Sequence, residues 1–154
     1  MILETRIGKL YIEAKKENIT KVNWTNKQKK SSTLLSSSVL TEAKKQINSY
    51  IKGKKINFDL PLKPSGTKFQ RKVWKYITKI KWGEKKSYKD ISIKVFKKKF
   101  LMGPRAIGSA CLSNPILILI PCHRVICSNG DLGGYCNKIY RKRKLLILEK
   151  SLIL

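Results

Sequence analysis

The sequence predicts a mixed α/β chain of the α+β kind, arranged as two small domains. Strand-like segments crowd the start of the chain, and helix signals with capping residues recur through its second half. Between them Pro61-Leu62-Lys63-Pro64-Ser65-Gly66 stiffens and turns the backbone. A chain of 154 residues holds one ordinary domain or two small ones, which excludes a large enzyme with a separate cofactor domain. With the boundary at the proline-rich segment, the domains span 1–63 and 64–154.

Gly8-Lys9-Leu10-Tyr11-Ile12 and Ile19-Thr20-Lys21-Val22-Asn23-Trp24 read as two strands of a hairpin, separated by the polar Lys15-Lys16-Glu17-Asn18. The Lys- and Ser-rich stretch 26–38 lacks periodicity and reads as a loop. Ala43, Ile47, Tyr50 and Ile51 then mark a helical face that Gly53 closes, and a short apolar patch over 56–60 leads into the boundary.

Thr67 and Gln70 can cap a helix reciprocally, with Val73, Trp74, Ile77 and Ile80 as its buried stripe. Ser87 and Asp90 repeat the device before Ile91 and Val95. Pro104 suits the first turn of a further helix holding Arg105, Ala106, Ile107 and Ala110. Two helices joined in this way resemble a helix-turn-helix. The small residues of the second serve close approach to a partner or tight core packing equally well. After Ser113-Asn114-Pro115, the apolar run Ile116–Ile120 has strand length and the composition of a segment buried on both faces. Ser128-Asn129-Gly130-Asp131 signals a turn, and a terminal helix runs through Leu145, Leu146, Leu148 and Glu149.

The net charge of +26, from 35 Lys+Arg against 9 Asp+Glu, favours a polyanion. Only six of the 35 are Arg, and abundant Lys, Ile and Asn are also what AT-rich coding produces, so charge alone does not establish DNA binding. Neither a membrane span nor a signal core is visible, which predicts a cytoplasmic protein. Cys111, Cys122, Cys127 and Cys136 lie in the last third, which suits reduced thiols and local chemistry better than a disulfide framework. They lack the paired spacing of structural zinc sites, so no metal is expected.

Cys122 follows an apolar run and a rigid proline, stands beside the one histidine of the chain, His123, and precedes Arg124. A thiol is nucleophilic as thiolate, which a nearby imidazole or cation favours. Neighbours on an extended chain point in opposite directions, so His123 reaches Cys122 only through a water or a bend. Taken singly, a buried cysteine is more often inert packing, and a lone histidine a satisfied core residue.

Ile120-Pro121-Cys122-His123-Arg124-Val125-Ile126 resembles the active-site signature of the O6-alkylguanine-DNA alkyltransferases, also called methylated-DNA-protein-cysteine methyltransferases. The resemblance extends through Gly66-Thr67-Lys68-Phe69-Gln70-Arg71-Lys72-Val73-Trp74, Gly83-Glu84 with Ser87-Tyr88, Arg105-Ala106-Ile107-Gly108, Asn114-Pro115, Gly133-Gly134-Tyr135 and Leu145-Leu146 with Glu149. It covers residues 64–150, and the N-terminal part is similar only loosely.

The resemblance implies a small ribonuclease-H-like N-terminal domain followed by a winged-helix C-terminal domain. Its implied activity is single-use transfer of an alkyl group from O6-alkylguanine, and from O4-alkylthymine, in double-stranded DNA to Cys122. It implies no cofactor and a monomer. Arg105 would fill the gap left by a flipped nucleotide, because the O6 substituent is closed to in-line attack within a duplex. By the same carry-over His123 deprotonates Cys122 through a water, Glu149 orients His123, and Asn114 braces the turn. Tyr88 turns the flipped phosphate and offers its hydroxyl to the purine, and Tyr135 walls the pocket. The backbone carbonyls of Cys122 and Val125 read the guanine amino group, and Cys136 contacts O6.

Two segments depart from the family pattern. Asn137-Lys138 stand where a Gly-Gly pair is usual, and Phe96–Met102 is longer and more basic than expected. Three other readings compete: a lesion-binding relative without repair activity, a Cys-His hydrolase, and a basic nucleic-acid-binding module with incidental cysteines. The first lacks a reactive cysteine, and the second leaves Arg105 and the helix pair unexplained.

Overall fold

Alternating apolar residues near the N-terminus form an antiparallel sheet in the order β1-β2-β3, from β1 (Ile2–Thr5), β2 (Gly8–Lys15) and β3 (Asn18–Thr25). The computed structural model describes residues 1–27, 37–97, 103–135 and 138–152, so most of the 26–38 loop and of the basic 96–102 segment lies outside it, as do Cys136 and Asn137. The hairpin expected from the sequence is present as β2 and β3. Strand β1 is an addition, since four residues with one buried side chain, Leu3, are too few to display alternation.

Leu10 pairs with Trp24 and Ile12 with Val22, which sends alternate residues of both strands into the core. Lys16 and Glu17 make the reversal with φ of 46° and 55°, the left-handed pair that matches strand twist. Helix α1 (Ser38–Ile51) buries Val39, Ala43, Ile47, Tyr50 and Ile51. Its start is capped from the hairpin turn: Glu17 accepts bonds from the Ser37 and Ser38 hydroxyls and from the Val39 N–H. Its end has the Schellman pattern, with the Gly53 N–H donating to Tyr50 at 2.8 Å and the Lys54 N–H to Ser49 at 3.1 Å.

The chain divides into two compact units, Met1–Ser65 with Pro115–Leu117, and Gly66–Asn114 with Ile118–Leu154. In the first, Leu62 and Ile116 add parallel bridges to Ile19 and Val22 of β3.

The second unit begins with α2 (Lys68–Ile77), whose Thr67–Gln70 capping box is complete in both directions. Val73, Trp74 and Ile77 are buried, and the Trp74 indole donates to the Ala110 carbonyl at 2.8 Å. Ile80 is buried as well, one turn beyond the end of the helix. The short β4 (Lys86–Ser87) leads through the Ser87–Asp90 capping box into α3 (Tyr88–Phe96), and α4 (Gly103–Leu112) packs against it. A Cβ on Gly103 would lie 1.9 Å from the Ser92 hydroxyl, so this glycine permits the close α3–α4 approach. β5 (Val125–Ile126) pairs in parallel with β4, and α5 (Ile139–Leu148) ends the described fold.

The run Ile116–Ile120 is buried throughout, as its composition predicts, but it is not a strand. Within the first unit Ile116 pairs with Val22 and the Leu117 N–H donates to the Val22 carbonyl, and Ile118 then turns the chain at φ 71°. Burial on both faces is shared by a central strand and a buried turn, so an apolar run cannot separate the two. Among the described residues no helix is long and apolar enough to cross a membrane.

Thr67→Ala removes the acceptor of a complete capping box and is expected to cost about 1 kcal/mol. Urea unfolding should show a lower midpoint at unchanged slope.

Candidate active site

The turn at Ile118 determines how the chain reaches Cys122. Positive φ is rare for a β-branched residue and marks a conformation imposed by its surroundings. Pro121 follows, and Cys122–Arg124 form one 3₁₀ turn, closed by the Arg124 N–H donating to Pro121 at 2.9 Å. The extended geometry expected at Cys122 and His123 is therefore absent. Side chains at three residues per turn fan out about 120° apart instead of alternating.

Asn114, at the end of α4, fixes this turn. Its amide nitrogen donates to the Ile120 carbonyl at 2.9 Å and lies 3.0 Å from the Cys122 sulfur, and all of these groups are buried. The carbonyl contact sets which way the amide points, and that orientation aims an N–H at the sulfur. A donor in this position stabilises the thiolate form of the sulfur.

On the other side of the turn, His123 Nε2 lies 2.8 Å from Glu149 Oε1, and both side chains are fully buried. A carboxylate there requires the proton on Nε2, which leaves Nδ1 as the basic nitrogen of the neutral ring. Arg124 donates to the same carboxylate with Nε at 2.9 Å and Nη2 at 2.8 Å, and with Nη1 to the Ile80 carbonyl at 2.5 Å. This fork fixes the plane of Glu149. Burial works against the Glu149 charge, but His123 and Arg124 outweigh it and hold the carboxyl down at about 2. For His123, burial is the largest influence and lowers its pKa, assisted by the charges of Arg124 and Lys142 and opposed by Glu149. The imidazole is therefore neutral at pH 7 and able to accept a proton.

Of the remaining expected residues, Tyr88 and Arg105 line an open cleft of about 380 Å³, together with Pro104, Gly108, Ser109, Leu112, Cys127, Gly133 and Gly134. Arg105 and Leu112 are exposed on the same face of α4. Tyr88 is half-buried, and its hydroxyl lies 3.4 Å from the Gly134 carbonyl. Burial, followed by the nearby Cys111, Cys127 and Cys122, raises its pKa, which keeps the hydroxyl a neutral donor. Gly133 has φ 67°, and a Cβ there would come within 3.0 Å of both the Tyr88 ring and the Cys127 sulfur. Tyr135 is half-buried, and Cys136 lies outside the described residues. A larger cleft of about 550 Å³, lined by Tyr76, Lys79, Ile80, Glu84, Lys86, Asp90, Ile91 and Lys94, contains none of the expected site residues.

The structure thus brings Asn114, Cys122, His123 and Glu149 together, with Tyr88 and Arg105 on the cleft and Val125 directly after the reactive turn. The Val125 and Cys122 carbonyls each accept an internal bond, from Lys142 and from the Val125 N–H, and each keeps a second lone pair. Two residues were not read correctly from the sequence. Arg124, expected as a cation beside the thiol, turns to Glu149. Lys142, not singled out at all, is fully buried. Its signal was present: Lys142, Leu145, Leu146 and Glu149 share the spacing of one helical face.

This geometry is accompanied by a match along nearly the whole chain. Residues 1–64 match the ribonuclease-like domain of the 6-O-methylguanine DNA methyltransferases, and residues 68–151 match their DNA-binding domain. The chain belongs to the 6-O-methylguanine DNA methyltransferase family. Its fold is accordingly a ribonuclease-like N-terminal domain followed by a DNA-binding C-terminal domain, as the resemblance implied.

Within the family it is 47% identical over 110 residues to the methylated-DNA--protein-cysteine methyltransferase of Metallosphaera sedula, covering 71% of this chain and 67% of that one. It is 36% identical over 154 residues to the Methanosarcina barkeri protein of the same name, covering 97% and 96%. The crystal structure of Mycobacterium tuberculosis OGT in complex with DNA superposes with a TM-score of 0.84 at 35% identity, covering 97% of this chain and 91% of that one.

Both shifted groups make the fold acid-sensitive. His123, with its pKa lowered, favours the native state above its ordinary value of 6.5, and this contribution is lost as pH falls below it. Glu149 adds a contribution that is lost between 4.5 and about 2. Urea unfolding against pH should show stability falling through both windows. Glu149→Gln should flatten the lower one while costing about 3 kcal/mol at neutral pH, because it leaves Arg124 without its carboxylate.

Proposed function

We propose that this chain repairs alkylated DNA by direct reversal, moving a methyl or larger alkyl group from O6-alkylguanine, and from O4-alkylthymine, to Cys122. The observation that carries the reading is the buried Cys122 sulfur with the Asn114 donor on one side and the Glu149-oriented His123 next to it in the same turn. His123 takes the thiol proton through a water, using the nitrogen that Glu149 leaves basic. The thiolate attacks the alkyl carbon in line, a carbon–sulfur bond forms, and the carbon–oxygen bond breaks. The departing base regains a proton, with the Tyr88 hydroxyl beside it as a neutral donor. The thioether product has no good leaving group, so each molecule acts once and needs no added cofactor.

Attack in line requires the nucleotide to leave the stack. Arg105, exposed on α4, fills the gap, while Gly108 and Ser109 on the same face leave room for the backbone of the duplex. Tyr135 walls the pocket, and the Val125 and Cys122 carbonyls receive the guanine amino group. Cys136 would contact O6. The protein acts as a monomer on double-stranded DNA in the cytoplasm.

Intact-protein mass after incubation with duplex O6-methylguanine should show one methyl per molecule on Cys122 and none in Cys122→Ser. Turnover beyond one equivalent rejects the reading. Arg105→Ala should slow repair of duplex DNA by about 100-fold while sparing reaction with a free O6-alkylguanine base, because only the duplex needs flipping; equal loss on both substrates removes that role. Glu149→Gln should slow transfer by about 10- to 100-fold at nearly constant DNA affinity, as expected of a group that orients a general base.

A further inference from the structure

One face of α5, outside the cleft, carries an ordered pair of cations. The exposed Tyr140 ring has the Arg141 guanidinium carbon 5.5 Å and the Lys144 ammonium 5.8 Å from its centre. Like charges about one turn apart on a helix repel, whereas an aromatic face attracts each of them. The shared ring therefore draws two cations toward one point, at a cost in mutual repulsion that a bound anion removes. Lys138 and Arg143 are exposed close by in sequence, and no acidic residue stands between Asp131 and Glu149.

This face lies next to the cleft. Gly134 lines the cleft and accepts from Lys142 of α5 at 3.3 Å, and a Cβ on Gly134 would lie 3.9 Å from Leu112 of α4. The cleft rim and the start of α5 share one character: exposed apolar side chains beside cations, Leu112 with Arg105, and Ile139 and Tyr140 with Lys144. A nucleic-acid backbone fits such a surface, because its phosphates take the cations and its sugars the apolar contacts.

We infer that the Tyr140–Arg141–Lys144 face of α5 is a second contact surface for duplex DNA, gripping backbone phosphate beside the stretch held in the cleft. The partner follows from the DNA-binding domain to which residues 68–151 belong. The contact positions the duplex and reads no sequence. It is independent of transfer to Cys122, so undamaged DNA tests it and the repair reading can fail separately.

Binding of the full chain to undamaged duplex is followed by fluorescence anisotropy between about 50 and 200 mM salt. Lys144→Gln should weaken binding by about 3- to 10-fold at the lower salt and reduce the salt slope by about 1. Tyr140→Leu, which leaves the net charge unchanged, should weaken it by about threefold, and Tyr140→Phe, which keeps the ring, should leave it unaltered. Lys44→Gln removes the same charge from an exposed position on α1 and should cost less than about twofold.

Equal losses in Lys144→Gln and Lys44→Gln reveal a diffuse field without a site and overturn the inference. An unchanged salt slope in Lys144→Gln, or full affinity in Tyr140→Leu, overturns it as well. Should Tyr140→Leu lower the urea midpoint, Lys144→Gln decides alone, since its side chain is exposed and its removal leaves the buried face of α5 intact.

Discussion

The Glu149 carboxylate is the constraint on which the second unit depends. It sits at the C-terminal end of α5, 1% exposed, and accepts from His123 on one oxygen and from the Arg124 fork on both. Arg124 also reaches the Ile80 carbonyl, so one acid joins the end of α5, the reactive turn and the segment after α2. A buried ion pair gives little net stability compared with an apolar substitute, because desolvation offsets most of the attraction. What it supplies here is orientation. Arg124 compensates the Glu149 charge, which lets the carboxylate remain ionised and hold the His123 tautomer without drawing a proton onto the ring.

The reactive turn is held from its other side by Asn114, and the two supports act on successive residues. Asn114 binds Ile120 and the Cys122 sulfur, while Glu149 binds His123 and Arg124. Between the supports lies Ile118, in a conformation that a β-branched residue does not choose. Such strain persists where neighbours over-determine the backbone, and the burial of every residue from Ile116 to Val125 supplies that control. A sulfur held in this way is pre-positioned before any substrate arrives, which lowers the entropic part of a displacement barrier.

Local chemistry was the most legible part of the sequence. Both capping boxes, the Gly53 helix stop and the buried faces of α1 to α3 follow from residue types at fixed spacing, and the structure contains them. β1 was invisible because a four-residue strand carries almost no pattern. The turn at Ile118 was hidden because burial, unlike periodicity, does not reveal backbone direction. The positions of Asn114 and Glu149 came from family resemblance, since 8 and 26 residues separate them from their partners at Cys122 and His123. Arg124 was misassigned for a related reason. Adjacency in sequence suggested that its charge serves the thiol, whereas a 3₁₀ turn points it elsewhere.

This misassignment separates two uses of positive charge. The surplus of +26 is carried largely by exposed lysines, whose field acts over roughly a Debye length and weakens with salt. Arg124 and Lys142 are buried, committed to named acceptors, and shielded from that screening. Coding bias toward lysine can inflate the exposed set without altering the site, because each exposed lysine replaces one solvated side chain with another. It does not readily produce a lysine at 142, where an ammonium meets three carbonyls, or an arginine at 124, where a planar fork meets a carboxylate. The surface charge therefore bears on how often DNA is encountered, and the two buried cations on how the backbone around Cys122 is held.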